Sequence, residues 1–249
     1  LLPYESVDNI NVRLIFDYGQ LLAYTNNGQI FSYNRILDRF NLVVNLAKIL
    51  NTKLLSVNQL LIDPSGAYWI ALSTGLYRYN SGNLVNVLEF PTERYSMTWL
   101  DKESMIVARS GGIWRYQTRT GKSDLLYENK TLAPFQVSAL LLEKDDGRLW
   151  MGTMSNGLCL FDLKNRLLSS VQPARFPKQP ILDIERNPDA SLLVGVDGQG
   201  VWKLDNSGSR VLDVYKESAD DPFSLPGNGV YDIYCDDNQR VWVCTISGG

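Results

Sequence analysis

The chain has 249 residues, with 24 Lys and Arg against 27 Asp and Glu and a formal net charge of -3. Charges of both signs are interspersed without a basic run, which argues against a partner bound through a phosphate backbone. Because the count of His is 0, Ser-His-Asp and Cys-His catalysis and most zinc sites are excluded. The sequence has no stretch of about 18 apolar residues, the length that predicts a membrane-spanning helix.

One short unit recurs along the chain: a turn with Asp or Asn, an apolar strand, a turn with Gly and a second strand. Its clearest copy spans residues 145–162, where Asp146-Gly147 and Asn156-Gly157 supply the positive φ angles of tight turns. In chain order the copies begin at Asp17, Asp63, Asp101, Asp145, Asn187 and Asp236. A period of ~40 to 45 residues with several short strands is typical of a β-propeller blade. Helical repeats are disfavoured, because the units are β-branched and aromatic.

We therefore predict an all-β fold, a β-propeller of four-stranded antiparallel blades. The blades are expected at residues 7–50, 54–91, 95–132, 137–177 and 180–227, with an incomplete one at 228–249. The innermost strand of each blade precedes the first turn, at 10–16, 57–62, 95–100, 137–142, 181–186 and 230–235. The fourth strand is looser, at 84–90, 124–127, 167–171 and 210–215, and residues 40–47 fit either a helix or an outer strand.

About five and a half blades are present. A propeller closes when its last blade meets its first, because closure removes the exposed sheet edges. The sixth blade stops after its second strand, at Gly249, so we expect the chain to be part of a longer propeller.

The three cysteines, Cys159, Cys235 and Cys244, do not make a disulfide framework. Cys235 and Cys244 flank the last hairpin turn, but a turn centred near Asn238 sets Cys235 opposite about Val241. We expect free, buried thiols.

The acidic residues are concentrated at the turns, which leaves more than one interpretation open. A carboxylate pair could hydrolyse a glycosidic bond, and the oxygens of residues 236–238 could bind Ca²⁺. We favour turn aspartates that accept hydrogen bonds from their own backbone. Trp69, Trp150 and Trp242 lie on second strands, where packing between blades is favoured over stacking on sugars. We expect no catalytic residue, no metal site and no cofactor.

We expect the ligand-binding residues on the loops at one end of the propeller. Loops joining second and third strands, and connectors entering first strands, converge at the same end of a propeller channel. The candidate ligand-binding residues there are Arg94, Tyr95, Arg109, Phe135, Asn156 and Asp197. Arg109 and the Arg94–Tyr95 pair are singled out because an Arg fork suits a carboxylate or a sulfate. An inter-blade salt bridge is the alternative for Arg109.

A family resemblance is strongest near the end of the chain. Residues 221–236 read DPFSLPGNGVYDIYCD and are followed by VWVCT at 241–245. This segment resembles the two-component regulator propeller repeat, roughly D-P-x-S-L-x-x-x-x-V-x-x-I-x-x-D-x-x-G-x-L-W-I-G-T-x-x-G-G-L. Residues 149–153 (LWMGT) and 156–158 match its second half, and 68–71 (YWIA) match loosely. Blades one and three depart from it, since Ala23 and Ala108 replace the Gly.

Such repeats are typical of the extracytoplasmic sensor half of hybrid two-component systems of gut bacteria, ahead of a membrane helix, a histidine kinase and a DNA-binding regulator. The resemblance implies a seven-bladed propeller in the periplasm that senses an oligosaccharide derived from a polysaccharide. It also implies a homodimer through the sensor region, no enzymatic activity and no nucleic-acid contact in this segment, and membrane attachment only through later parts. The alternatives are a protein-interaction scaffold without a small ligand and a propeller glycosidase or lyase.

Overall fold

The computed structural model describes residues 11–52, 55–130 and 136–246, and most of them lie in strands. Within these residues there are five four-stranded antiparallel sheets and one two-stranded sheet, each with its strands in chain order. The predicted all-β propeller with four-stranded antiparallel blades is thereby confirmed. The chain divides after Arg94 into two compact units. No helix of the described residues is long and apolar enough to span a membrane.

The first unit contains two blades. Blade 1 has the strands β1 (Val12–Asp17), β2 (Gln20–Thr25), β3 (Gln29–Asn34) and β4 (Arg39–Asn45), followed by the helix α1 (Leu46–Ile49). Blade 2 has β5 (Val57–Ile62), β6 (Tyr68–Leu72), β7 (Gly75–Asn80) and β8 (Asn83–Glu89). Residues 40–47 are thus mainly an outer strand. The strand gives way to a helical turn at Asn45, whose side chain caps α1 by accepting a hydrogen bond from the Lys48 amide at 3.1 Å.

The second unit contains the other blades. Blade 3 has β9 (Ser96–Trp99), β10 (Ser104–Arg109), β11 (Gly112–Gln117) and β12 (Ser123–Glu128). Blade 4 has β13 (Val137–Glu143), β14 (Arg148–Thr153), β15 (Leu158–Asp162) and β16 (Leu167–Val171). Blade 5 has β17 (Ile181–Arg186), β18 (Leu192–Val196), β19 (Gly200–Leu204) and β20 (Val211–Tyr215), and β21 (Val230–Cys235) and β22 (Val241–Thr245) form the two-stranded sheet of blade 6.

Glycine makes the predicted tight turns possible. Gly147 and Gly157 have φ angles of 69° and 67°, in the left-handed region that other residues enter at a cost. These two turns bring β14 back along β13 and β15 back along β14, as the sequence predicts.

The hydrophobic core lies between neighbouring blades. The first strands are adjacent to one another, β1 to β5 in the first unit and β9, β13, β17 and β21 in succession in the second. One core cluster joins blades 4 and 5 and contains Trp150, Ile181 and Trp202. Blade 5 approaches blade 4 so closely that a Cβ on Gly152 would lie 2.6 Å from Ile181 Cγ2. The Gly of the repeat is therefore required by packing at this position.

The cysteines are free. Cys235 pairs with Val241 and Cys244 with Asp232 in the register of β21 and β22, as the turn geometry predicts. Cys159 is buried, and burial raises the pKa of its thiol to about 11. Cys235 is half-buried and Cys244 is exposed, so the expectation of buried thiols is right for Cys159 and wrong for Cys244. Cys244 is exposed because no further strand of the described residues covers β22.

Candidate ligand-binding rim

The predicted convergence of loops is visible as a recurring hydrogen bond. A backbone amide at the turn after the second strand donates to the residue that precedes the first strand of the same blade. The pairs are Ser73 to Ser56, Met154 to Gln136, Asp197 to Pro180 and Ile246 to Gly229, each at 2.9 Å. We call this end of the blades the rim. It is built from turns and connectors held on rigid sheets, where binding groups are commonly placed.

Arg94 lies at the rim of the first unit. The amide of its neighbour Glu93 donates to the Ser73 carbonyl at 2.9 Å, which holds the connector beside the turn of blade 2. The Arg94 side chain is half-buried. Burial and the positive charge of Arg13 both lower the pKa of its guanidinium.

Tyr95 and Arg109 belong to the rim of blade 3. Tyr95 is 1% exposed, so its ring packs in the core and offers solvent no stacking face. Arg109 is half-buried at the end of β10, and its Cζ lies 4.4 Å from the centre of the Trp114 ring. This cation–π contact within one blade orients the guanidinium.

Asn156 and Asp197 are exposed at equivalent turns of blades 4 and 5. The Asn156 amide donates to Thr153 Oγ1 at 2.8 Å, which fixes the turn and leaves the Asn156 side chain at its tip. Asp197 is anchored through its backbone to Pro180. Phe135 lies outside the described residues. The predicted set thus offers solvent-facing polar groups at Asn156 and Asp197, but no aromatic platform at Tyr95.

The opposite end of the blades carries the turn acids. Asp63 accepts hydrogen bonds from the amides of Ser65 at 2.8 Å and Ala67 at 3.0 Å, and from Trp69 Nε1 at 3.1 Å. Burial raises the pKa of this carboxyl, but the hydrogen bonds outweigh burial and leave the pKa below its ordinary value. Asp63 is therefore an ionised turn acid bonded to its own backbone, as favoured from the sequence.

The bond from the turn acid to a tryptophan recurs in other blades. Trp242 Nε1 donates to Asp236 at 3.0 Å and Trp150 Nε1 donates to Glu143 at 2.8 Å. Sequence reasoning missed this pairing, although an Asp six residues before a Trp is its signal in blades 2 and 6. An arginine lies over each of these rings, within 6 Å of its centre: Arg78 over Trp69, Arg186 over Trp150 and Arg240 over Trp242.

The three tryptophans differ in exposure. Trp69 and Trp150 are 2% and 0% exposed, which fits the predicted role in packing. Trp242 is 54% exposed in the two-stranded blade 6. Because Trp69 and Trp150 are buried, neither ring is open to stacking on a sugar.

A second group of acids lies on the first strands of blades 5 and 6. Asp183 accepts a hydrogen bond from the Ile233 amide at 2.7 Å, and so links β17 to β21. Burial, together with the negative charge of Asp232, raises the pKa of Asp183 to about 7 and that of Glu185 to about 7. Among the described residues no group of three or more His, Cys, Asp or Glu could hold a metal ion.

Comparisons with known proteins agree with the fold and the repeat. Residues 224–247 match the family model described as the two component regulator propeller. Among curated proteins, the chain is 23% identical over 157 residues to Histidine kinase P4 of Formosa agariphila, an alignment that covers 59% of this chain and 11% of that protein.

Three solved structures share the fold. The extracellular domains of the putative hybrid two component systems BT3049 and BT4673 from B. thetaiotaomicron superpose with TM-scores of 0.76 and 0.73 at 17% and 21% identity. The matches cover 100% and 95% of this chain and 34% and 31% of those chains. PorZ of Porphyromonas gingivalis, a surface component of the type-IX secretion system, superposes with a TM-score of 0.64 at 15% identity, over 94% of this chain and 37% of PorZ.

The chain thus spans about a tenth of the matched curated kinase and about a third of each of these solved structures. At these identities the solved structures establish the fold, and the family model matches one repeat, at residues 224–247. The resemblance read from the sequence is thus confirmed for residues 224–247, which match the two component regulator propeller.

Proposed function

We propose that this chain is a ligand-sensing segment of the periplasmic domain of a hybrid two-component receptor, within a seven-bladed propeller. The match of residues 224–247 to the two component regulator propeller carries the proposal. The fold of the extracellular domains of two putative hybrid two component systems supports it. The receptor's histidine kinase would lie in a part of the protein beyond this chain, as the similarity to Histidine kinase P4 suggests.

The proposed ligand is an oligosaccharide derived from a polysaccharide, bound at the rim. Asn156 and Asp197 expose an amide and a carboxylate at neighbouring turns, which suit the paired donors and acceptors of sugar hydroxyls. A backbone amide fixes each turn, that of Asn156 by donating to Thr153 Oγ1 and that of Asp197 by donating to the Pro180 carbonyl, so little ordering is required on binding.

Signalling would follow from differential binding. A ligand that favours one arrangement of paired sensor domains shifts the receptor towards that state by its difference in affinity for the two arrangements. The proposed receptor is a homodimer through its sensor region.

A thermal unfolding screen with oligosaccharides of defined composition tests the sensor function. A ligand that binds only the folded chain raises Tm in proportion to RT ln(1 + [L]/Kd). We expect one class of oligosaccharide to raise Tm, and we expect Asn156→Ala with Asp197→Asn to reduce that rise. The matched control is Asp237→Asn, which alters an exposed acid at the opposite end.

The absence of any rise, or a rise that the rim variants leave unchanged, would contradict binding at the rim. Turnover of a glycan by the purified chain would support a glycosidase or lyase instead.

A protein-interaction scaffold is the second candidate, because the fold is also similar to that of PorZ, a surface component of a secretion system. That candidate predicts no effect of any oligosaccharide on Tm, together with a stable complex between this chain and a protein of the same cell surface.

A further inference from the structure

Hydrogen bonds through Asn58 link two arginines of the first unit, Arg13 and Arg94, at the rim. Arg13, in β1, donates from Nη1 to the Asn58 carbonyl at 3.2 Å. Asn58 Nδ2 donates in turn to the carbonyl of Glu93 at 3.2 Å, and Glu93 directly precedes Arg94. Asn58 therefore connects the strand that carries Arg13 with the connector that carries Arg94.

Within the described part of the chain, no counter-charge acts on Arg94. Its side chain is half-buried, and the charge that acts on its guanidinium is the like charge of Arg13. No carboxylate among the described residues offsets that repulsion. Taking a guanidinium out of water is unfavourable unless an anion neutralises it. The partial burial of Arg94 beside Arg13 therefore lowers the stability of the chain, and a bound anion would offset this loss.

This pair differs from the arginines at the turn ends of the blades, which have carboxylate partners. Arg78, for example, has Asp63 as a partner at 3.5 Å, and Arg148 has Glu143 at 3.0 Å. Those guanidinium groups are already compensated within the fold. Arg13 is exposed, and its hydrogen bond to a described residue uses Nη1 and goes to a backbone carbonyl, which leaves other donors of its guanidinium for an external group.

We propose that Arg13 and Arg94 form an anion-binding pair at the rim, which takes one carboxylate or sulfate group of the sensed oligosaccharide. The identity of the carrier as an oligosaccharide rests on the proposed function, whereas the anion site does not. Two guanidinium groups offer forked donors that match the oxygens of a carboxylate or a sulfate, and the pair of positive charges selects against neutral ligands.

Nuclear magnetic resonance of the arginine Nε–Hε groups in the whole chain tests the pair directly. The probes are inorganic sulfate, galacturonate and neutral galactose, each titrated at constant ionic strength with chloride as the balancing anion. We expect the Arg13 and Arg94 signals to move along saturating curves with sulfate or galacturonate, and not with galactose. Which of the two anions binds more tightly distinguishes a sulfate ester from a uronic acid as the ligand group.

The variants Arg13→Gln and Arg94→Gln are each expected to weaken anion binding by at least about tenfold, since each removes a charge-assisted hydrogen bond. Arg39→Gln is the matched control, because Arg39 is an exposed arginine on the outer strand of the same unit. If Arg94→Gln does not fold, the anion affinity of Arg13→Gln tests the pair, because Arg13 is exposed.

Signals that do not saturate, or an equal loss of affinity in Arg39→Gln, would overturn the pair. If a neutral oligosaccharide raises Tm and Arg13→Gln leaves that rise unchanged, the anion pair fails while the sensor function stands. If sulfate binds at Arg13 and Arg94 but no oligosaccharide affects Tm, the pair stands and oligosaccharide sensing fails.

Discussion

Arg186 Nη2 lies 2.5 Å from Glu143 Oε1 and thereby joins the first strand of blade 5 to the first strand of blade 4. The other carboxylate oxygen accepts the indole hydrogen bond of Trp150 at 2.8 Å and lies 3.0 Å from Arg148 Nε. The arginine N–H bonds are not aligned as hydrogen bonds, so both arginine contacts are ion pairs. Because the Glu143 side chain is only 16% exposed, one carboxylate connects two blades and a buried tryptophan.

Removing this carboxylate's charge should weaken the contact between blades 4 and 5. Glu143→Gln leaves the Arg186 guanidinium without its counter-ion and Arg148 with Asp146 alone, and we expect a loss of about 3 kcal/mol in the free energy of unfolding. Urea unfolding followed by tryptophan fluorescence measures it. Glu217→Gln, at an exposed position, should change the same quantity by less than about 0.5 kcal/mol. Similar losses in the two variants would show that the ion pairs contribute nothing.

The turn acids allow a comparison between a buried and an exposed copy of one motif. Asp63→Ala removes the hydrogen-bond acceptor of the indole N–H of the buried Trp69 and of two amides, and should cost about 3 kcal/mol. Asp236→Ala should cost clearly less than Asp63→Ala, because Trp242 is exposed and water can replace the carboxylate. Both are measured by urea unfolding. A larger loss for Asp236→Ala would refute the role of the bonded tryptophan in blade 2.

The repeat's glycine should be intolerant of a methyl group where blades meet. A Cβ at Gly152 would lie 2.6 Å from Ile181 Cγ2, so Gly152→Ala should cost about 1 to 3 kcal/mol. Gly195→Ala should cost less, since its nearest neighbour is Val230 Cγ1 at 3.0 Å. Ile181→Ala should reduce the penalty of Gly152→Ala in a double-mutant cycle. Strict additivity of the two substitutions would contradict the proposed clash.

Stability should fall as the pH rises from about 4 to 7. The pKa of Asp183 is about 7 in the folded chain against an ordinary 3.8, so the folded chain holds more protons in this window than the unfolded chain. Glu185, also raised to about 7, acts in the same direction. Asp183→Asn with Glu185→Gln should therefore raise the free energy of unfolding more at pH 8 than at pH 5, by on the order of 1 kcal/mol.

Denaturation at the two pH values checks this, with the exposed Asp220→Asn as the control. Asp205 and Asp236 do not obscure the result, because their pKa values, lowered to about 2, remove stability only as the pH falls below about 4. If the free energy of unfolding differs between pH 5 and pH 8 by the same amount in the double variant as in the unsubstituted chain, the raised pKa values of Asp183 and Glu185 are contradicted.

Strand positions were predictable from the sequence because local chemistry sets them. Three of the six innermost strands, Val57–Ile62, Ile181–Arg186 and Val230–Cys235, have the predicted bounds, since a turn with Asp or Asn follows each one. The register that separates Cys235 from Cys244 followed from the same turn geometry.

Contacts between blades were not predictable in this way. The pairing of Arg186 with Glu143 and the burial of Tyr95 depend on how neighbouring sheets pack, which the spacing of turns does not specify. Arg13 was missed for the same reason, because its relation to Arg94 runs through Asn58 of a different blade. The sequence therefore predicts which loops form the candidate rim, but only some of the residues that matter there.

Hydrogen exchange in the presence of the oligosaccharide that raises Tm most tests the central claim that the rim is the sensing end. The account predicts slower exchange of rim amides such as those of Ser73, Met154 and Asp197, with no change at the opposite turns around Gly66 and Gly147. Slower exchange confined to those opposite turns, or none at either end, would contradict it.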